Sequence, residues 1–443
     1  MADDVQQSET SARTRAERPY DPLDLSSLAF WSSTAAERER TFAQLRAERP
    51  VSWHRPVENG LFEDPNDQGF WAVVTHRHVT EVTRRHEDFV SGEGIVFESM
   101  PRELLDAGQG FIALDPPRHT RVRRLLTSAF TPRQMRRIAD RIQANSRRIV
   151  DDVASLGEVD LVRHVSALVP MHNICDMVGV PEEHRRTVAH ESQFAGGWRD
   201  ESLMQGAEPL GRLLEAAGTM RELCFELVAQ RRAHPEDDLL TALVQAEIDG
   251  ERLSDDEIVS FFGLLMIAGN DTTRQSTSHG VLALARHPEQ RAWLLEDLDE
   301  RLPGAVEEIV RWATPIMTFR RTAVRDCELD GRQITAGDKV VMFYASANFD
   351  ETAFEHPERF DVSRSPNPHL SFGGGGIHHC LGNQLARMQL AATFRELLTR
   401  LPDLEVVGEP ELGSGNFFHA VNAMTVRFTP ESARAAARVG SGS

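Results

Sequence analysis

Two short stretches of the chain hold the residues best suited to chemistry. The first is a loop, Ser371-Phe-Gly-Gly-Gly-Gly-Ile-His-His-Cys-Leu-Gly-Asn383. Its four consecutive glycines let a backbone approach a flat partner that side chains would hold off. Cys380 then opens a helical pattern running from Leu381 to Leu398. A cysteine at a helix N-terminus is held as the thiolate, the form that ligates metal or attacks carbon. Two alternatives stay open at this point. One is a buried structural cysteine, and the other is a zinc site built from His378, His379 and Cys380. Adjacent ligands satisfy a tetrahedron poorly, however, and no second ligand pair follows.

The second stretch is the middle of a long helix. Ser254 with Glu257 three residues later forms a capping box, and an apolar pattern then continues to about Arg286. At 1.5 Å per residue such a helix spans roughly 48 Å, enough to cross a whole domain. Phe261-Phe-Gly-Leu-Leu-Met-Ile and Val281-Leu-Ala-Leu-Ala make its two sides apolar, whereas its centre reads Ala268-Gly269-Asn270-Asp271-Thr272-Thr273. A carboxylate and two hydroxyls between apolar halves cost several kcal/mol unless they are hydrogen-bonded or hydrated (about 2–7 per group). Gly269 is a poor helix former, so the helix is expected to bulge there and free a backbone carbonyl. An acid–alcohol pair at such a point handles protons at a buried site; a helix that merely surfaces at its centre is the plainer reading.

The elements that must position these stretches form one unit. Residues 1–20 read as a mobile leader, residues 21–430 as one helix-rich domain with small sheets, and residues 431–443 as a mobile tail. From Arg118 to Arg311 the pattern is mainly helical, broken at Pro132, Gly179-Val180-Pro181, His234-Pro235 and His287-Pro288. Strands are expected at Phe70–Val74, at Cys327–Ile334 turning on Asp330-Gly331, at Lys339–Tyr344 and at Met424–Phe428. The formal net charge of −19 argues against general nucleic-acid binding, which needs a basic field. Lys339 is the only lysine and follows Gly337-Asp338, so there is no Gly-Lys-Ser/Thr phosphate loop and little scope for Schiff-base chemistry. The longest strongly apolar run, Phe261 to Ala268, is far short of the ~20 residues of a membrane span. Four scattered cysteines make a poor disulfide framework. A soluble cytoplasmic protein is the expectation.

Phe372, the glycine run, His378, Cys380 and Gly382 resemble the haem-binding loop of the cytochrome P450 family. Ala268-Gly269-Asn270-Asp271-Thr272 resembles that family's oxygen-activating helix. Glu308-Ile-Val-Arg311 looks like its Glu-x-x-Arg pair, and Arg359 in His356-Pro-Glu-Arg-Phe looks like the arginine that completes the triad. Taken alone, Glu308 and Arg311 would read as a solvated i,i+3 pair. The resemblance implies a mainly α fold with small β-sheets, a helix-rich prism around a buried haem b whose iron takes Cys380 as axial thiolate. It implies that His119, Arg123, Arg321 and His378 hold the haem propionates, which need charge-assisted donors. It further implies that Phe372, Gly382 and Ala268 contact the haem, and that Thr272 and Asp271 deliver protons.

Phe372 stands eight residues before Cys380, where the family's usual loop has seven. The longer loop resembles a bacterial subgroup oxidising cholesterol-type sterols and methyl-branched lipids. Ala268–Arg274, Arg311–Ala323 and Phe343–Asp350 look like the same subgroup. The implied activity is O2-dependent hydroxylation of a bulky apolar small molecule, leaning to a sterol, steroid or terpenoid-like lipid. A tailoring hydroxylase or epoxidase of a secondary metabolite, and a non-catalytic haem sensor, are the alternatives. By family topology the pocket walls would be Val96, Phe97, Phe194, Ile267, Ile316, Met317, Phe319 and Phe418. The chain has no flavin or iron–sulfur motif of its own, so a ferredoxin and a ferredoxin reductase are the implied electron donors. An arginine-rich segment, with Arg121, Arg124, Arg133, Arg136 and Arg137, is the expected docking face for an acidic ferredoxin.

Overall fold

In the computed structural model, residues 18–432 are described except 59, 61, 63, 101–109 and 198–207. The long helix runs Asp255–Arg286, capped as its sequence dictates: the Ser254 side chain accepts from the Glu257 N–H, and Glu257 reaches back to the Ser254 N–H. It packs against helices Leu168–Val178, Pro209–Ala233, Leu298–Ala313 and Asn383–Arg400. Ile258, Phe261, Phe262 and Met266 on its first half join one hydrophobic cluster with Ile174, Leu223 and Leu240. Val281–Leu284 on its second half join another with Ile309, Phe394 and Leu397. The polar centre therefore lies where one core stops and the next has not begun.

The helix stays α through Gly269, and the expected bulge does not occur. A Cβ on Gly269 would lie 2.6 Å from Ile174 Cδ1, and one on Gly280 would lie 2.5 Å from Phe394 Cζ. These glycines let neighbouring helices cross closely. They do not weaken the backbone.

A five-stranded sheet takes the order Val51–His54, Phe70–Val73, Lys339–Phe343, Thr318–Ala323, Phe89–Val90, antiparallel except for the pairing of Lys339–Phe343 with Phe70–Val73. Cys327–Leu329 and Arg332–Ile334 form a hairpin turning at Asp330 (φ 52°) and Gly331 (φ 71°), a pair of positive φ angles that suits a two-residue turn. Gly179 ends Leu168–Val178 in the left-handed conformation, and Pro132 and Pro288 each open a helix. Lys339 is buried, its Nζ bonded to the Asp67 carboxylate and 3.5 Å from the Ser99 hydroxyl.

Residues near both assigned limits make contacts with the rest of the chain. Arg18 pairs with Asp338 at 2.6 Å and lies over the Trp53 and Trp71 rings. At the other end the Glu431 N–H donates to Ala154 O, and its carboxylate pairs with Arg400 at 2.7 Å. Residues 1–17 and 433–443 lie outside the described residues. Among the described residues no helix is long and apolar enough to cross a membrane.

Candidate active site

The Cys380 loop is fixed from both sides. Asn348 accepts from the Leu370 N–H at 2.7 Å and donates to the Ser371 hydroxyl at 2.9 Å, anchoring the loop's first turn. The Cys380 N–H closes it by donating to Phe372 O at 2.9 Å. The helix behind it runs Asn383–Arg400 with Gly382 at its cap, so Cys380 precedes the helix instead of opening it. Burial pushes the Cys380 thiol up, while the Gly382 N–H, Arg123 and Arg387 draw it down.

Two of the four glycines have a partner within the protein. A Cβ on Gly376 would fall 1.9 Å from Thr83 O, and one on Gly374 would fall 2.5 Å from Thr83 Oγ1. The close approach is to the helix His76–Arg84. Gly373 and Gly375 carry φ angles of 91° and 79° and turn the loop.

His378, His119, Arg123 and Arg321 converge beside this loop. The His119 and His378 rings lie 4.3 Å apart, and Arg123 Nη2 donates to His379 O at 2.7 Å. His378 Nε2 and the Ser91 hydroxyl hydrogen-bond at 3.1 Å, whereas His378 Nδ1 and both His119 ring nitrogens are buried without a partner among the described residues. Arg321 is buried, with Nη1 donating only to Arg320 O at 2.7 Å. Burial lowers His378 to about 2, with Arg321, His119 and Arg123 pressing the same way; His119 falls to about 4 through burial and Arg123. Four donors crowded together at this cost suit an anionic guest, and the two propionates of a haem match them in charge and donor type. His378, His379 and Cys380 do not gather into a group that would hold zinc.

The long helix is linked to this cluster through Phe111, which stacks on His119 at 5.3 Å and meets Phe261 edge-on at 6.2 Å. Its hydroxyls bond back one turn: Thr272 to Ala268 O at 2.7 Å, Ser276 to Thr272 O, Thr277 to Thr273 O, and Ser278 to Arg274 O. Thr272, Ala268 and Ile267 remain half-buried, an open stripe on an otherwise packed helix. Asp271 is 1% exposed and pairs with Arg274 at 2.7 Å. Burial raises its pKa and Arg274 opposes the rise. Arg274, the ion-pair partner of Asp271, was not among the expected site residues.

The Glu-x-x-Arg helix carries a fully buried fork. Arg311 Nε and Nη2 each donate to the Glu308 carboxylate at 2.8 Å, and Arg311 also donates to the carbonyls of Asn348, Pro357 and Arg359. The side chain completing the triad is Arg364, whose Nε lies 3.1 Å from Glu308. Arg359 is exposed and contributes only its carbonyl oxygen, so its assignment is corrected. The chain doubles back between the two arginines, which sequence spacing does not reveal.

The expected pocket walls divide. Val96 and Phe319 are half-buried, and Ile316 bridges to Phe418. Phe319 meets Phe417 edge-on at 5.4 Å. Phe97 and Met317 belong instead to a packed cluster with Trp31, Phe70 and Phe343, Phe97 lying 4.6 Å from Phe70. Both are removed from the wall. Phe194 lies in the helix Glu182–Gly197, and its side chain is outside the described residues.

Residues 207–402 match the sequence profile of the Cytochrome P450 family. The methyl-branched lipid omega-hydroxylase of Mycobacterium tuberculosis (strain ATCC 25618 / H37Rv) is 39% identical over 416 residues, 93% of this chain and 96% of that protein. The steroid C26-monooxygenase of Mycolicibacterium smegmatis is 38% identical over 396 residues, 87% of this chain and 90% of that protein. A solved structure of Mycobacterium marinum cytochrome P450 CYP268A2 in complex with pseudoionone is 55% identical and superposes with a TM-score of 0.89 over 94% of this chain and 100% of its own. The chain belongs to the cytochrome P450 family. It is an oxidoreductase of the monooxygenase type, and the family implies a haem-thiolate iron cofactor.

Proposed function

We propose that the protein holds haem b through Cys380 and hydroxylates a methyl-branched apolar lipid of sterol or isoprenoid type at an unactivated carbon. The observation that carries the reading is the convergence of His119, Arg123, Arg321 and His378 beside Cys380, with His119 and His378 leaving buried ring nitrogens unpartnered. When bound, the haem supplies the oxidising power that places one atom of O2 in a C–H bond and releases the other as water, using two electrons and two protons. The chain's own work is to hold the propionates, exclude water and move protons. The half-buried Thr272 hydroxyl, now donating to Ala268 O, turns to donate toward the cavity, and Asp271 resupplies it. Arg274, the less buried member of the pair, opposes the rise that burial imposes on Asp271.

Ile267, Ala268, Val96, Ile316, Phe319 and Phe418 form the wall. The relatives act on a methyl-branched lipid or a steroid or bind pseudoionone, all of them apolar molecules. Titration of the ferric holoprotein with pseudoionone, a methyl-branched fatty acid and a sterol ketone tests the substrate class. A saturable low-spin to high-spin shift with at least one of them, followed by a hydroxylated product in mass spectrometry, supports it. No shift with any of the three moves the assignment to secondary-metabolite tailoring.

The proposed donor is an acidic ferredoxin served by its reductase. The docking face is narrower than the arginine count suggests. Arg121 pairs with Glu257 at 2.9 Å and Arg124 with Asp249 at 2.8 Å, while Arg133 and Arg137 share Asp237. Exposed Arg136, with exposed Arg84 beside Gly375, is left to attract the partner. Reduction by ferredoxin should slow as salt rises, and Arg84→Glu should weaken that dependence.

A further inference from the structure

Two adjacent glutamates of the helix Leu298–Ala313 face different neighbours. Glu308 is sealed inside the triad. Glu307 turns to the Cys380 loop, where its Oε1 accepts from Arg387 Nε at 2.6 Å and its Oε2 accepts from Arg387 Nη2 at 2.9 Å. His369 Nε2 lies 3.0 Å from the same carboxylate. Burial pushes Glu307 up, but His369 and Arg387 outweigh it and hold the carboxyl at about 2. Arg387 is itself held on three sides. Its guanidinium lies 4.4 Å over the Phe372 ring, and Nη1 donates to Asn383 Oδ1 at 2.8 Å. Asn383 Nδ2 in turn donates to Cys380 O at 2.7 Å.

We propose that the Glu307–Arg387 pair positions Cys380 and sets the charge its sulfur feels, and so the electron-donating strength of that sulfur toward the haem iron. The inference rests on the reading of Cys380 as axial ligand. An ordinary surface ion pair has loose geometry and little energetic effect. This one is bidentate, stacks flat on the loop's phenylalanine, and reaches the cysteine through one intervening side chain. The Arg387 guanidinium brings a positive charge to the Cys380 loop through Asn383. Glu307 cancels part of that field, so the sulfur experiences the difference between the two charges. Residues around a metal's ligands tune it in this way without touching it.

The test is the ferric/ferrous midpoint potential of the holoprotein in a charge cycle. R387Q uncovers the Glu307 charge, favours the ferric state and lowers the potential; a tenfold change in the reduction equilibrium is about 59 mV for one electron. E307Q uncovers Arg387 and raises the potential. The double variant E307Q/R387Q returns toward wild type. R387K keeps the charge but loses the fork, so its potential stays near wild type while more of its ferrous–carbon monoxide complex absorbs at the neutral-thiol position. Shifts of the two single variants in the same direction, or less than threefold in both, overturn the proposal. Should R387Q take up no haem, the double variant compared with E307Q reads the same removal of Arg387, and a potential no lower than that of E307Q overturns it. A wild-type holoprotein lacking a thiolate spectrum would instead sink the Cys380 assignment.

Discussion

The Cys380 loop and the centre of the long helix are built on opposite principles. On the cysteine side, charged groups are matched: Glu308 binds Arg311 and Arg364, Glu307 binds Arg387 and His369, and Asn348 and Asn383 tie loop backbone in place. On the long-helix side, Asn270 Oδ1 and the Asp271 carboxylate lie buried with no well-formed hydrogen bond among the described residues, Asp271 having only its ion pair with Arg274. Half-buried Ile267 and Ala268 lie alongside. A matched network fixes one geometry, as a permanent ligand requires. An under-satisfied one can exchange partners, as proton transfer and a variable substrate require. Bonding is complete around Glu307 and Glu308 and unfinished around Asp271.

The comparison is broken most severely on the matched face. Glu308→Ala leaves the buried Arg311 charge without its partner and should cost about 3–5 kcal/mol, seen as loss of folded, haem-loaded protein in thermal unfolding. Arg364→Ala should cost about 1–3 kcal/mol and Arg359→Ala less than about 0.5 kcal/mol. Equal losses for the two arginines would refute the corrected triad. On the unfinished face, Asp271→Asn and Thr272→Ala should each lower product formed per electron consumed. Asp271→Asn should also slow turnover about 100-fold. Both should melt close to wild type, and Thr272→Ser should recover coupling; a marked fall in melting temperature for either would contradict the division.

Smaller effects sharpen the contrast. Gly269→Ala forces a methyl against Ile174 and should destabilise by about 1–3 kcal/mol, largely relieved by adding Ile174→Ala. A loss unrelieved by the second change would return Gly269 to a backbone role. The last effect is a pH dependence. Glu307 falls from an ordinary value of 4.5 to about 2 in the folded protein, so its stabilising contribution is complete above pH 4.5 and lost as pH falls toward 2. The stability gap between wild type and E307Q, about 1 kcal/mol for a partly exposed pair, should close over that range in acid unfolding curves. A gap unchanged with pH would show that the carboxylate charge is not what stabilises.

The sequence revealed groups whose chemistry is local. The Ser254 capping box, the Asp330-Gly331 turn, the Cys380 loop and the Asp271–Thr272 pair all announce themselves within a few residues. Partners chosen by the path of the chain were hidden. Arg364 displaced Arg359 because the backbone folds back between them, and Phe97 faces a core that only the sheet and the N-terminal helices assemble. Glu307 was not among the expected site residues. Its partner Arg387 is 80 positions away, and nothing in local spacing joins them. Two of the glycines seat the loop on the helix His76–Arg84, a neighbour that steric permission alone does not name.

The burial of Lys339 has a practical consequence. With its only lysine enclosed, this chain offers amine-directed reagents no accessible side chain. Carbodiimide coupling can then work in one direction, from carboxylates of this chain to lysines of a partner. An acidic electron donor docked through its own carboxylates would escape such trapping, so a negative cross-linking result would carry no weight against the complex. Arginine-directed dicarbonyl reagents are the chemistry to use instead.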